Sequence, residues 1–207
     1  WIGTLWVSWS VLEWHQQLEF RSRPESVKTR NGYSGGASQF DAIAIETLAV
    51  LGLRPRELIQ AKPDAIVEKT DVQGRKGVYF RIVRGKNKAA ERDVPLSDGV
   101  FEAVNISRLR EMLVWQDNNT RDSHGAVSSL STRFRKVTEK YTPYQMRHSW
   151  KDLALDAGID FEIRERIVGH RVKGVASIYG SGIPLKQGLA AIQAVSNAIW
   201  KAEKQIS

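Results

Sequence analysis

The sequence predicts an α+β fold, a mainly α-helical domain with a small antiparallel β-sheet. Two observations lead to this prediction. Apolar residues recur at helical spacing over most of the chain after residue 98. A β-rich stretch at residues 78–83 is followed by a polar turn and a second short apolar stretch at 93–96, which together are typical of a hairpin. With 207 residues, of which 42% are hydrophobic, the chain can bury a good-sized core.

The first 38 residues differ in composition from the rest of the chain. Residues 1–12 are apolar but too short to span a bilayer, and residues 21–38 are rich in Arg, Ser, Lys, Gly and Asn, as in a linker. Ser38 is a suitable N-cap for a helix over residues 40–53. We therefore expect an N-terminal apolar segment and linker at 1–38 and one domain at 39–207.

The second half of the chain has the pattern of successive helices. Four are predicted at residues 100–115, 128–141, 143–157 and 161–168. A last amphipathic helix is indicated by regularly spaced apolar residues, namely Leu185, Leu189, Ile192, Val195 and Ile199.

Composition excludes several classes of function. The chain has no cysteine, so it has no disulfide scaffold, no Cys-bound zinc, no iron–sulfur cluster and no thiol nucleophile. Its 31 Lys and Arg against 23 Asp and Glu give a net charge of +8. Such a surplus fits a polyanionic partner, and it fits ordinary solubility equally well.

Four short motifs contain the residues that could carry chemistry. Each is weak by itself, since a charged turn or a Gly-His helix end is usually structural. Taken together they supply two arginines, a lysine, two histidines and a tyrosine, a set that suits metal-free phosphoryl transfer to a tyrosine oxygen. In order they are residues 52–58 (GLRPREL), 84–88 (RGKNK), 144–148 (YQMRH) and 169–170 (GH) with Tyr179 nine residues later.

These motifs resemble, in order, those of the tyrosine recombinases, or phage-type integrases, over residues 39–200. The family's T-G-L-R-x-x-E-L block resembles residues 51–58, and its hairpin lysine block resembles 85–96 with two extra residues before Arg92. Its H-x-x-R-H block resembles residues 144–148, its L-G-H block resembles 168–170, and its nucleophile position falls on Tyr179. The resemblance implies the catalytic-domain fold of that family.

The resemblance also implies a mechanism and a set of catalytic residues. Tyr179 would attack a DNA phosphate to form a 3′-phosphotyrosyl link, and a 5′-hydroxyl would later reseal the strand. Arg54 and Arg147 would hold the non-bridging oxygens, because a guanidinium binds two oxygens and stays charged. The remaining catalytic candidates are four: His170, as a further donor to the phosphate, Lys86, as acid for the leaving oxygen, His148, as an orienting group or base, and Tyr144, by its position in the H-x-x-R-H block. Glu57 would anchor Arg54 or His148. No metal and no cofactor is implied.

Tyr144 departs from the family pattern, because a histidine usually stands at that position. A phenol can exchange a hydrogen bond but cannot carry positive charge. A catalytically impaired DNA-binding protein of the same fold is therefore one alternative, and a type IB topoisomerase-like enzyme is another. An RNA-binding domain is a third, although the chain lacks the expected aromatic platform.

Double-stranded DNA is the partner that the resemblance implies. The candidates for contacts to the DNA backbone are five cations, namely Lys88, Arg92, Arg133, Arg135 and Lys136. The resemblance further implies a homotetramer on paired DNA sites, formed through exchange of the C-terminal helix. Such an integrase of a phage or mobile element would act in the cytoplasm of a bacterial host, at the nucleoid.

Overall fold

A computed structural model describes most of the chain after residue 38. The described residues are 39–71, 73–83, 91–101, 105–120, 122–138, 142–170 and 182–204. The predicted N-cap Ser38, the basic hairpin tip with Lys86 and Lys88, and Tyr179 lie outside them. So does the segment at 1–38.

Seven α-helices and three strands make up the described part, which confirms the α+β prediction. The helices are α1 (Gln39–Leu51), α2 (Pro55–Ile59), α3 (Ile106–Asn119), α4 (Ser123–Thr138), α5 (Pro143–Asp156), α6 (Phe161–Val168) and α7 (Leu185–Lys204). The strands are β1 (Ile66–Thr70), β2 (Lys76–Ile82) and β3 (Arg92–Leu96). Short 3₁₀ turns at Pro63–Ala65 and Asp98–Val100 precede β1 and α3.

Helix α1 is the centre of the core. Its residues from Ile43 to Leu51 are all buried, because α3, α5 and α7 each pack against it. The largest side chain in this contact is Trp150 of α5, which is fully buried and donates from Nε1 to the carbonyl of Val50 at 2.8 Å. Burying an aromatic or branched side chain contributes roughly 1.5–3 kcal/mol, so this layer is a main source of stability.

The three strands form one antiparallel sheet in the order β1-β2-β3. Phe80 pairs with Ile66 on one side and with Val94 on the other, and all three side chains are buried against the helices. The opposite face has an ion-pair ladder, in which Asp93 bonds Lys69 of β1 and Arg81 of β2. The hairpin of β2 and β3 was predicted, whereas β1 was not. The alternation of apolar and polar residues in β1 is short, and one face of the strand is polar.

Two helices begin several residues away from their predicted starts. Helix α3 begins at Ile106 instead of residue 100, because the Asn105 side chain accepts a hydrogen bond from the amide of Arg108 and so starts the helix there. Helix α4 begins at Ser123 instead of residue 128, and the Asp122 carboxylate accepts from the amides of His124 and Gly125.

Helix α7 packs on its own chain in this structure. Ile192, Val195 and Ile199 are buried in the common core, and the helix contacts α1, α5, α6 and β3. Its start is tied to the β1–β2 turn, where the Asp71 carboxylate accepts from the amide of Leu185 at 3.1 Å. Exchange of this helix between protomers stays a prediction.

Candidate active site

The loop between α1 and α2 presents Arg54 at the N-terminus of a short helix. Gly52 ends α1 with φ +61°, and a Cβ there would lie 2.8 Å from Cδ2 of Trp150. Only glycine therefore allows the loop to lie directly on the buried indole of α5. Arg54 is the N-cap residue, with extended backbone, and Pro55 occupies the first turn of α2. The loop conformation thus fixes the position of the Arg54 backbone.

Glu57 holds Arg54 from the first turn of α2. Its carboxylate accepts from the Arg54 amide at 2.9 Å and from the Arg54 guanidinium at 2.5 Å. The second arginine on this carboxylate is Arg92 of β3, whose Nη1 and Nη2 donate at 3.2 and 3.0 Å. Burial alone would raise the pKa of Glu57, but Arg92 and Arg54 outweigh it and hold that pKa below 4.5. Glu57 is therefore an anionic bridge between two arginines.

Arg92 is buried, and this differs from its predicted place at a DNA backbone. Its side chain is 6% exposed, and Nε donates to the carbonyl of Ile167 at 2.6 Å. Gly169 makes room for it, because a Cβ at Gly169 would lie 2.6 Å from Nη1 of Arg92. Burial lowers the pKa of Arg92 although Glu57 opposes that shift. Arg92 thus links β3 to α2 and to the end of α6 from the interior.

Arg147 joins the two motif loops. It lies on α5, is buried, and donates from Nη1 to the carbonyl of Gly52 at 2.9 Å and from Nη2 to the carbonyl of Val168. Burial and the positive charges of Arg54 and Arg92 lower the pKa of Arg147 to about 10, against the opposing effect of Glu57 and Glu165. The guanidinium therefore stays charged at neutral pH, close to Arg54 and to the end of α6.

His170 follows the C-terminus of α6. Gly169 ends that helix with φ +69°, and the His170 amide donates to the carbonyl of Glu165. A second contact joins Nδ1 of His170 to Oε2 of Glu165 at 2.6 Å, and Lys151 of α5 binds Oε1 of the same carboxylate at 3.0 Å. Burial lowers the pKa of His170 below 6.5; Glu165 opposes this shift, while Arg147 and Lys151 reinforce it.

The structure brings four of the predicted residues into one network, namely Arg54, Glu57, Arg147 and His170. Tyr144 and His148 lie on exposed positions of α5, with 47% of Tyr144 accessible. Arg133 and Arg135 lie on α4, where Arg133 forms a two-bond ion pair with Asp41 and Arg135 is exposed. For Lys136 only the backbone is described.

Sequence reasoning missed two contacts at this site. The pairing of Arg92 with Glu57 joins residues 35 positions apart, and no local pattern marks it. The Glu165–His170 contact spans a helix end, where an acidic residue five positions before the histidine of a Gly-His pair is the only available sign. Within the described ranges, no group of three or more His, Cys, Asp or Glu could hold a metal ion. Among the helices described, none is long and apolar enough to cross a membrane.

Comparison with known proteins relates this chain to recombinases. It is 30% identical over 149 residues to tyrosine recombinase XerA of Pyrococcus horikoshii, covering 67% of this chain and 49% of that protein. It is 30% identical over 183 residues to tyrosine recombinase XerD of Staphylococcus saprophyticus, covering 82% of this chain and 57% of that protein. It is also 28% identical over 131 residues to excisase A of a Nostoc species, covering 61% of this chain and 28% of that protein.

These alignments cover only part of each relative. The chain spans about half the length of the curated recombinases XerA and XerD that it matches. No family model matches the chain. No solved structure matches it significantly.

Proposed function

Because the chain belongs to the tyrosine recombinase family, we propose that residues 39–207 are the catalytic domain of a site-specific DNA recombinase or integrase. The domain cleaves and rejoins DNA strands without a metal, through a 3′-phosphotyrosyl intermediate. The observation that carries this proposal is the network that joins Arg54, Glu57, Arg147 and His170 across three segments distant in sequence.

Arg54 and Arg147 bind the non-bridging oxygens of the scissile phosphate. The transition state carries more negative charge than the bound DNA, and fixed cations stabilise it without reorganisation. Two features of the site support this role. Arg147 is held by two backbone carbonyls and Arg54 by Glu57, so both guanidinium groups are oriented before DNA binds. The Arg54 side chain is 25% accessible, so it can contact a ligand.

Tyr179 is the nucleophile and Lys86 the acid in this mechanism. The Tyr179 oxygen attacks phosphorus, the bond to the 5′-oxygen breaks, and Lys86 gives the leaving oxygen its proton. In rejoining, a 5′-hydroxyl attacks the phosphotyrosyl link and the same steps run backwards. Because the link preserves the bond energy of the phosphodiester, strand exchange needs no ATP.

Double-stranded DNA and further copies of the chain complete the proposal. Lys88, Arg133, Arg135 and Lys136 are the proposed cations for the DNA backbone, and Arg133 would keep its pair with Asp41. Two copies on each DNA site would form a homotetramer through exchange of α7. His148 orients the site, and Tyr144 supplies a hydrogen bond where a histidine is usual.

A second function is a DNA-binding protein of this fold without strand cleavage. Tyr144 is the observation that favours it, since a phenol cannot supply the positive charge of the usual histidine. Both functions predict DNA binding, so binding alone does not distinguish them.

A suicide-substrate assay separates the two functions. The protein is incubated with a pool of nicked duplexes of randomised sequence, in EDTA, and covalent adducts are separated on denaturing gels. We expect an adduct with the unchanged protein and none with Tyr179→Phe. The matched control is Tyr33→Phe, which removes a hydroxyl from the segment before the proposed domain and should leave the adduct intact. Binding without an adduct would favour the second function.

A further inference from the structure

Glu165 is an acidic residue whose side chain is almost entirely enclosed beside the proposed active site. Only 10% of the side chain is exposed, and each carboxylate oxygen has its own partner. Oε1 contacts Nζ of Lys151 at 3.0 Å, and Oε2 contacts Nδ1 of His170 at 2.6 Å. The proposed function gives this carboxylate no role, yet it touches one of the proposed catalytic side chains.

The contact determines which nitrogen of His170 carries the proton. A carboxylate can only accept, so the bond requires a proton on Nδ1. In the neutral ring Nε2 then has a lone pair and can accept a proton. Glu165 occupies Nδ1, and 39% of the His170 side chain is accessible. Nε2 is therefore an acceptor whenever the ring is neutral.

Burial and two neighbouring cations favour the neutral ring of His170. The groups that act on His170 are Glu165 on α6, Lys151 and Arg147 on α5, and the ring's own burial. Burial and the two cations lower the pKa of His170, and together they outweigh the opposing effect of Glu165. Arg92 of β3 is the further charged group at this corner, since it packs on Gly169 beside His170. At pH 7 and above the ring is therefore mainly neutral.

We propose that Glu165 is a positioning residue that holds His170 with its proton on Nδ1 and so presents Nε2 as the proton acceptor of the site. This rests on the proposed function. In the cleavage step, the hydroxyl proton of Tyr179 passes to Nε2 as the Tyr179 oxygen bonds to phosphorus. The leaving 5′-oxygen takes its proton from Lys86, and Glu165 stabilises the imidazolium of His170.

This assignment replaces the simpler role of His170 as a donor to the phosphate. A neutral ring bound through Nδ1 cannot donate from Nε2. It also supplies the site with a base although Tyr144 stands at the position of the usual histidine. Lys151 sets the strength of that base, because it neutralises part of the Glu165 charge.

The protonation state of His170 can be read without any DNA. The 207-residue chain, labelled with ¹⁵N in its four histidines, is titrated by NMR, and His170 is identified by the signal that His170→Asn removes. We expect protonated Nδ1 and unprotonated Nε2 above the pKa of the ring. Glu165→Ala should move the proton toward Nε2. Glu165→Gln keeps an accepting oxygen and loses the charge, so it should retain the tautomer and lower the pKa of His170. Lys151→Met should raise that pKa.

Glu162→Gln is the matched control. Glu162 lies three residues earlier on the same helix and pairs with Arg166, so its loss should leave the His170 signals unchanged. A proton on Nε2 in the unchanged protein would overturn the proposal. So would His170 signals that Glu165→Ala does not change.

The cleavage assay tests the consequence for catalysis separately. Glu165→Ala should slow adduct formation by about 10- to 100-fold, as loss of a partner that orients a histidine commonly does. In Glu165→Gln the acid side of the pH–rate profile should move to lower pH, because His170 with a lower pKa is already deprotonated at that pH. If the profile does not move, His170 is not the base. The NMR experiment could show the proton on Nδ1 while neither the unchanged protein nor any variant forms an adduct. In that case the positioning by Glu165 stands and the recombinase function fails.

Discussion

At the residue scale, Glu57 is the side chain on which the arginine cluster depends. It is 3% exposed and binds Arg92, which is 6% exposed, at 3.0 Å. Removing one partner of a buried pair leaves the other charge without compensation, and this costs about 3–5 kcal/mol. We therefore expect Glu57→Gln to lower the free energy of unfolding in urea by about 3 kcal/mol or more. It should also disturb the orientation of Arg54.

Asp117→Asn is the control for this prediction. Asp117 pairs with Lys62, whose side chain is 61% exposed, and such surface pairs contribute at most about 1 kcal/mol. If the two variants lose the same stability, the buried bridge at Glu57 does not contribute as described.

The pH dependence of stability follows from the lowered pKa of Glu57. A carboxyl with a pKa below its unfolded value of 4.5 stabilises the fold above pH 4.5, and this contribution is lost as the pH falls through the folded pKa. Urea titrations between pH 7 and pH 3 should therefore show a smaller acid-induced loss in Glu57→Gln than in the unchanged protein. An identical acid profile in both would contradict the assignment.

The sequence motifs indicate candidate residues but not their environment. They marked Arg54, Arg147 and His170 because their types and order suit phosphoryl transfer, and Glu57 as an anchor for Arg54 or His148. They could not show that Arg92 is buried, since its partners come from α2 and from the end of α6. A run of basic residues looks the same in sequence whether its members face solvent or a buried carboxylate.

At the scale of elements, the end of α6 depends on Gly169. This residue has φ +69°, and a Cβ there would lie 2.6 Å from Nη1 of Arg92. Gly158 provides a matched control, since it has φ +68° and a Cβ there would have no heavy atom within 4 Å. Gly158→Ala should cost about 1–2 kcal/mol for the left-handed backbone alone. Gly169→Ala should cost a further 1–3 kcal/mol or so, because the added carbon displaces Arg92.

Thermal and urea denaturation of the two alanine variants measure this difference. Equal losses would mean that Arg92 can shift without cost. In that case its contact with Gly169 would not help to place His170.

The start of α7 depends on Asp71 in the β1–β2 turn. Its carboxylate accepts from the amide and the guanidinium of Arg75 and from the amides of Leu185 and Gln73. These bonds outweigh burial and lower the pKa of Asp71 to about 2. We expect Asp71→Asn to speed amide hydrogen exchange at the start of α7. Asp122→Asn, which removes the equivalent carboxylate before α4, should leave exchange in α7 unchanged. Unaltered exchange of α7 in Asp71→Asn would contradict this anchoring role.

Among the elements, a helix with a clear capping residue at each end was predicted best. Helix α6 agrees at both ends, because Asp160 caps its start and Gly169 ends it. Strand β1 was missed because five residues with a mixed exposed face become a strand only by pairing with β2. The early start of α4 was missed because it depends on a single capping carboxylate.

For the whole molecule, the net charge of +8 was first explained equally well by solubility and by a polyanion. The structure separates the cations into buried and exposed ones. The side chains of Arg92 and Arg147 are buried, whereas Arg135 is exposed. When exposed cations bind phosphates, the affinity for DNA falls as the salt concentration rises. In a plot of log affinity against log salt concentration, each phosphate contact adds roughly one unit to the slope. We expect Arg135→Ala to reduce that slope by about one.

Fluorescence anisotropy with a labelled duplex over a range of salt concentrations measures the slope. Arg110→Ala is the control, since Arg110 is also exposed, on α3, but has no proposed DNA contact. Equal effects of the two substitutions would place the DNA elsewhere than along α4.

The central proposal is that Tyr179 becomes linked to DNA at a site that includes Arg54, Arg147 and His170. The most direct measurement is mass spectrometry of the trapped covalent adduct after digestion with protease and nuclease. The account predicts a peptide that contains Tyr179 and carries a nucleotide through its 3′-phosphate. A nucleotide on any other residue, or one joined through a 5′-phosphate, would contradict it.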